Sequence, residues 1–244
     1  MIFQMLLLLL PSLSLAEKRC NLIRKPLSCK NVVKILNYHN EMRNLVASGE
    51  TNLKPAKDMW VLKWDKELAD EAQKWANECK FTINDNKAYQ YGENLASYTT
   101  AKKPKVDVEH LVRIWFDEIK NYNPEAPVDQ YNAGYFTQFI WANTKFIGCG
   151  ISSYRDERNK VSPYKTMLIC NYKPPGNHPD EKPYEPFDRI RCERGTESKV
   201  YTALCAHDGE HSRGKYIPCS GYKLQPTAIF FTVFLLYSYY YYKF

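Results

Sequence analysis

The chain has 244 residues, 44% hydrophobic and 25% charged, with a formal net charge of +7 and eight cysteines, which is enough for one domain of ordinary size plus appendages. The basic excess is dispersed and interleaved with acids, as at Arg155-Asp156-Glu157-Arg158, so it reads as a solvated face and argues against a nucleic-acid partner. The cysteine count is even and no close C-x-x-C pair occurs, which points to four disulfides in an oxidising compartment and away from a cytosolic metal site.

Residues 1–16, MIFQMLLLLLPSLSLA, are uncharged, carry an apolar run from Met5 to Leu10, and end Ser14-Leu15-Ala16 ahead of Glu17-Lys18-Arg19. They read as a signal peptide, too short and too interrupted by Pro11 for a membrane helix. Residues 17–30 form a cysteine-bearing arm. From Asn31, Val32, Leu36, His39, Met42 and Val46 recur at helical spacing up to Gly49. His39 lies on this apolar stripe, so it reads as a packed histidine bonded to backbone.

Asp65 is a good N-cap, and Leu68, Ala72, Trp75, Ala76 and Cys79 repeat behind it as a second helix. Residues 81–91 are polar and read as a loop that delivers Gly92-Glu93-Asn94-Leu95; residues 99–104 read as another loop. Asp107 caps a third helix with a buried stripe of Val108, Leu111, Val112, Trp115, Ile119 and Tyr122, and Glu118 borders that stripe. Residues 123–133, with Pro124 and Pro127, read as a loop into a strand pair. That pair is carried by GYFTQFIWANTKFIGCG at 134–150 and MLICNYKPPGN at 167–177, rich in aromatic and β-branched residues and separated by a polar stretch at 155–164. Antiparallel pairing places Cys149 opposite Cys170. Helices followed by a strand hairpin predict an α+β layered domain with helices covering a sheet.

Beyond Asn177 the composition changes. Pro179, Pro183 and Pro186 mark a linker, and residues 188–221 hold Cys192, Cys205 and Cys219 in a setting too small for its own core, so disulfides are expected to fix it, at least one of them reaching back to the main domain. His207 and His211 stand four apart beside Cys205, without the helix signal a zinc site there would need. Residues 227–242 are uncharged and aromatic yet shorter than a bilayer span. With Ser220-Gly221 and a spacer ahead of them they have the layout of a GPI-attachment signal with a short spacer, so surface anchoring and a free apolar C-terminus both stay open.

Gly134 to Thr144, GYFTQFIWANT, resembles the first signature of the CAP superfamily (cysteine-rich secretory proteins, antigen 5, pathogenesis-related 1), and Leu168 to Asn177, LICNYKPPGN, resembles the second. His39-Asn40 and Gly92-Glu93-Asn94 stand upstream where the family has such residues. The resemblance covers residues 31–178 and implies a three-layer α-β-α sandwich there; composition places beyond it a small disulfide-rich C-terminal extension at 179–221 and an apolar tail at 222–244. It also implies that Cys20 or Cys29 pairs with Cys79.

Many members of that family line a central cleft with two glutamates and two histidines that hold a divalent metal. By motif the glutamates are Glu93 and Glu118. Tyr135 stands where the first histidine would be, and CKFTIND at 79–85 offers no second. Two carboxylates without imidazole make a weak oxygen site with little preference for a transition metal. A metal cofactor is therefore not expected, and Tyr135 is expected to donate a hydrogen bond to one of the carboxylates. No G-x-S-x-G, phosphate loop or H-E-x-x-H occurs. The resemblance thus implies a secreted, non-enzymatic, venom allergen-like protein that binds small amphipathic lipids such as sterols, or extracellular partner proteins. Glu93, Glu118, Tyr135 and Gln138 are its cleft candidates, and a metal-assisted hydrolase using Glu93 and Glu118 is the alternative. An ion-channel regulatory module needs more cysteines than the three that follow Cys170.

Overall fold

The computed structural model describes residues 20, 22–23, 26–84, 87, 90–125, 130–193 and 195–206. The signal-peptide, GPI-signal and apolar-tail expectations, and the His207–His211 pair, fall outside them. Helix α1 (Cys29–Ala47) starts where the Ser28 side chain accepts from Asn31 N and stops before Gly49, at φ 78°. Asp65 caps α2 (Lys66–Asn77) by accepting from Leu68 N, and Asp107 caps α3 (Val108–Phe116) by accepting from His110 N. Each of these three helices turns an apolar stripe inward. A 3-10 turn at Asp117–Asn121 follows α3.

Strand β1 (Lys63–Trp64), β2 (Gly92–Thr100), β3 (Phe146–Arg155) and β4 (Tyr164–Lys173) form one sheet in the order β1-β3-β4-β2. The expected hairpin is β3 and β4, in register with Cys149 opposite Cys170 and a disulfide between them. Two expectations are corrected. Residues 134–139 are helical, the end of α4 (Gln130–Phe139), because Ala133, Phe136, Phe139 and Ile140 recur at three and four residues and are all buried. Residues 92–100, of which 99–100 were expected to open a loop, are a strand whose Leu95 and Ala96 are buried on opposite faces.

Helix α2 covers one face, packing Ala72 and Ala76 on Leu95, Met167 and Ile169. The other face carries the main core, where α1, α3 and α4 meet Ala96, Ile147, Ile151, Leu168 and Tyr172. The result is a three-layer α-β-α sandwich. Gly150 lets α2 lie close on β3, since a Cβ there would stand 2.4 Å from Gln73 Cα.

Disulfides join Cys20 to Cys79 and Cys192 to Cys205, and Cys29 is also bridged. Cys219, and with it the expected bridge back to the main domain, lies outside the described residues. The C-terminal extension also leans on the main core: Cys205 N donates to Met59 O (2.8 Å), Val61 N to Cys205 O (2.8 Å), and Tyr201 and Leu204 are buried. A short pair, β5 (Thr196–Glu197) and β6 (Cys205–Ala206), closes it.

Arg43, on α1, is fully buried. Its guanidinium donates to Trp60 O through Nε and Nη2 (3.1 and 2.8 Å), and to Phe139 O (2.9 Å), Trp141 O (3.0 Å), Ala142 O (3.4 Å) and Thr144 O (3.3 Å). Burial lowers its pKa to about 9, which leaves it charged at neutral pH. A fork of donors satisfies carbonyls of the α4–β3 connection that no ladder reaches. Arg43→Lys, which keeps the charge but loses the fork, and Arg43→Met, which keeps the bulk but no donors, are each expected to cost about 3 kcal/mol or more. Urea unfolding with disulfides intact measures this; an unchanged midpoint in either variant would show that these carbonyls do not depend on Arg43.

Candidate functional site

The cleft candidates gather at the beginning of β2, the edge strand. Pairing of Glu93 with Asn171 puts the Glu93 side chain on the α2 face, where its Oε1 accepts from Asn84 N (2.9 Å). Glu118 comes from the 3-10 turn on the other side of the sheet. Helix α4 is broken at Ala133 (φ −141°, ψ 24°), so its last turn and a half has an N-terminus of its own. Glu118 Oε2 accepts from Tyr135 N (3.0 Å) and Phe136 N (3.1 Å), two of the donors that this restart leaves without a partner in the helix. Burial raises the Glu118 pKa and those two N–H groups oppose the rise.

Tyr135 stands between the carboxylates electrostatically. Burial, then the charge of Glu118, then that of Glu93, raise the pKa of its phenol. The sequence expectation assigned the bond to a carboxylate to this hydroxyl; the bond to Glu118 is made by the Tyr135 main-chain N–H. Gln138 is buried and acts as a brace. Its Oε1 accepts from Gly176 N (2.8 Å) and its Nε2 donates to Thr144 Oγ1 (3.4 Å). Gly92 makes room for it, since a Cβ at 92 would lie 1.8 Å from Gln138 Oε1. A neighbouring brace, unforeseen, is Thr137, whose Oγ1 donates to Asn177 Oδ1 (2.7 Å) while Asn177 Nδ2 donates to Gly134 O (2.8 Å).

Behind the cleft runs a buried polar chain. His39 Nδ1 pairs with Ile35 O (2.8 Å) and Nε2 with the Tyr172 hydroxyl (2.9 Å), and the ring stacks on Phe139 at 4.2 Å. Asn94 Nδ2 donates to Tyr172 Oη (3.3 Å) and to Tyr135 O (2.9 Å). His39 is therefore core, as its stripe implied. Asn94 and Tyr172 were not foreseen as its partners; the signal was a polar residue inside the first apolar stretch of β2.

The donor set does not fit the family's metal centre. Among the described residues no three His, Cys, Asp or Glu side chains converge to hold an ion. The described imidazoles are committed elsewhere: His39 in the core, His110 against Tyr98 (6.1 Å), and His178 against Trp141 (5.7 Å). What remains at the cleft is two carboxylates, one of them a helix cap, and a phenol.

The cysteine-rich secretory protein family (CAP) matches residues 36–172. Venom allergen 5.02 of Vespa crabro is 38% identical over 182 residues, 66% of this chain and 88% of the allergen. Salivary antigen-5 of Triatoma infestans is 36% identical over 205 residues, 74% of this chain and 83% of the antigen. Among solved structures, BmVAL-1 superposes with a TM-score of 0.61 at 26% identity, covering 73% of this chain and 95% of its own.

Burial drives the His39 pKa down from 6.5 to about 3. The unfolded chain therefore takes up this proton first as pH falls, and stability declines by about 1.4 kcal/mol per pH unit between those two values. Above the unfolded pKa the contribution is flat. Thermal melts from pH 7 to pH 4 are expected to show the decline in the wild type and a shallower one in His39→Gln, which starts less stable. Equal slopes would place the titration elsewhere.

Proposed function

The chain belongs to the cysteine-rich secretory protein (CAP) family, and from that premise we propose that it is a secreted protein that acts by binding and not by catalysis. One observation carries this reading. Glu93 and Glu118 each accept from main-chain N–H, and among the described residues no three His, Cys, Asp or Glu side chains converge on them. General-base work at neutral pH usually falls to an imidazole, and imidazole is what gives zinc a strong neutral ligand. The cleft instead offers carboxylate acceptors and a protonated phenol, which suit a hydroxyl or ammonium group on a small amphipathic molecule or on an extracellular protein. Three further features support secretion: the uncharged leader at 1–16, the bridged cysteines, and relatives described as venom and salivary proteins.

Equilibrium dialysis against micromolar zinc is expected to show no stoichiometric uptake by the purified protein. Tyr135→His, which reinstates one imidazole, is expected to tighten zinc binding by about tenfold or more. In native mass spectra, addition of a sterol or fatty acid is expected to yield a one-to-one complex that Tyr135→Ala weakens. Stoichiometric zinc in the wild type, or ester or peptide hydrolysis that disappears in Glu93→Gln, would return the protein to the metal-assisted hydrolases.

A further inference from the structure

The two edges of the sheet are finished differently. On the β3 side, main-chain groups that point away from β4 are taken at three positions. Asp65 N donates to Ile147 O (2.8 Å), and Ile23 N of the N-terminal arm donates to Ser153 O (2.7 Å). Between them the Gln73 side chain imitates a strand, donating to Ile151 O (2.9 Å) and accepting from Ile151 N (3.1 Å).

On the β2 side the register is unbroken from Gly92 opposite Tyr172 to Thr100 opposite Tyr164. Alternate residues therefore turn both N–H and C=O away from β4. Leu95 fixes the phase, because its carbonyl accepts from Trp115 Nε1 (2.9 Å). Ser97 and Thr99 share that phase, yet among the described residues no hydrogen bond reaches their outward main-chain groups, and Thr99 is exposed. Natural sheets cover or pair such edges, and an uncovered one is a template for another strand.

The charge around this end of β2 is one-sided. Lys102, Lys103 and Lys105 follow the strand and are exposed, and Lys165 stands opposite Thr99. The nearby acids are engaged: Asp107 caps α3, Glu109 pairs with Lys34, Asp156 with Arg158 and Glu157 with Arg155. We propose that the Ser97–Thr100 end of β2 is a strand-addition site for an extended, acidic segment of a partner protein. Main-chain bonds to Ser97 and Thr99 hold the segment, and the lysines select its charge. A second copy of this chain, at net +7, is a poor occupant. The site is separate from the cleft, so it stands or falls independently of the binding role given to Glu93, Glu118 and Tyr135.

The test is amide hydrogen exchange, by NMR on the disulfide-bonded protein, with the peptide acetyl-Asp-Glu-Val-Thr-Val-Thr-Val-Asp-Glu-amide at millimolar concentration. The peptide is expected to slow exchange at Ser97 and Thr99 by about tenfold or more, and a version with lysine at every acidic position is expected not to. Thr99→Pro removes an outward N–H that is no part of the β2–β4 ladder, so it is expected to abolish the protection with little change in melting temperature. Lys102→Glu with Lys103→Glu, which leaves the edge itself intact, is expected to weaken peptide binding about tenfold. The proposal is overturned by an unprotected edge, by equal protection from the lysine peptide, or by binding that survives Thr99→Pro. It is equally overturned by protection from heparin but not from the acidic peptide, or by a free dimer in which both amides are already protected.

Discussion

The arrangement depends on a buried positive charge that is met by main-chain carbonyls: Arg43 spends its donors on those of Trp60, Phe139, Trp141, Ala142 and Thr144. Those carbonyls belong to the chain entering β1 and to the turn between α4 and β3, two irregular segments that must run through the interior. Irregular backbone is ordinarily kept at the surface because its polar groups need water. A planar fork fixed on a helix supplies the donors instead, and so sets where α4 ends and where β3 begins. The positions of Tyr135 and Gln138 follow from that, since both lie on the last turns of α4.

The same economy governs the cleft. Glu118 is not simply displayed to solvent; it caps the restarted end of α4, and Asn94 ties the Tyr135 carbonyl to Tyr172 and His39. The cap favours the ionised form of this carboxylate, because protonation would weaken it. Burial works in the opposite direction and raises its pKa. The two N–H donors hold the side chain against α4 while burial sets the net direction of its shift.

The parts legible in the sequence were those with a local physical signature. Asp65 and Asp107 announce helix starts, the period of α1 places His39 inside, and alternation in β3 and β4 makes Cys149 and Cys170 face each other. The parts that were hidden owe their conformation to distant partners. The aromatic GYFTQF stretch looks like strand until Phe136 and Phe139 are seen packing on Phe116. Gly92-Glu93-Asn94 carries no strand signal of its own, because nothing nearby tells that Asn94 will meet Tyr172. Arg43 has no local signature that marks it out, since the five residues that receive its bonds lie between 17 and 101 positions away. In the cleft, the missing imidazoles and the two glutamates were readable residue by residue, whereas the role of Gln138 was not, because it depends on the absence of a Cβ at Gly92.

Strand β2 joins these threads. Its first half is closed: Glu93 is bonded by Asn84, Asn94 is drawn into the core chain, and Leu95 is sealed by Trp115. Among the described residues its second half carries no equivalent seal, although the opposite edge of the sheet recruits β1, a glutamine side chain and the N-terminal arm for that purpose. Closure at one end serves the cleft, because a carboxylate that holds a ligand must not move with a fraying edge. At the other end no such demand exists, and positive charge alone discourages unwanted pairing with further copies of the same basic chain. A sheet edge guarded by charge instead of by cover rejects its own kind while remaining open to a strand of opposite sign.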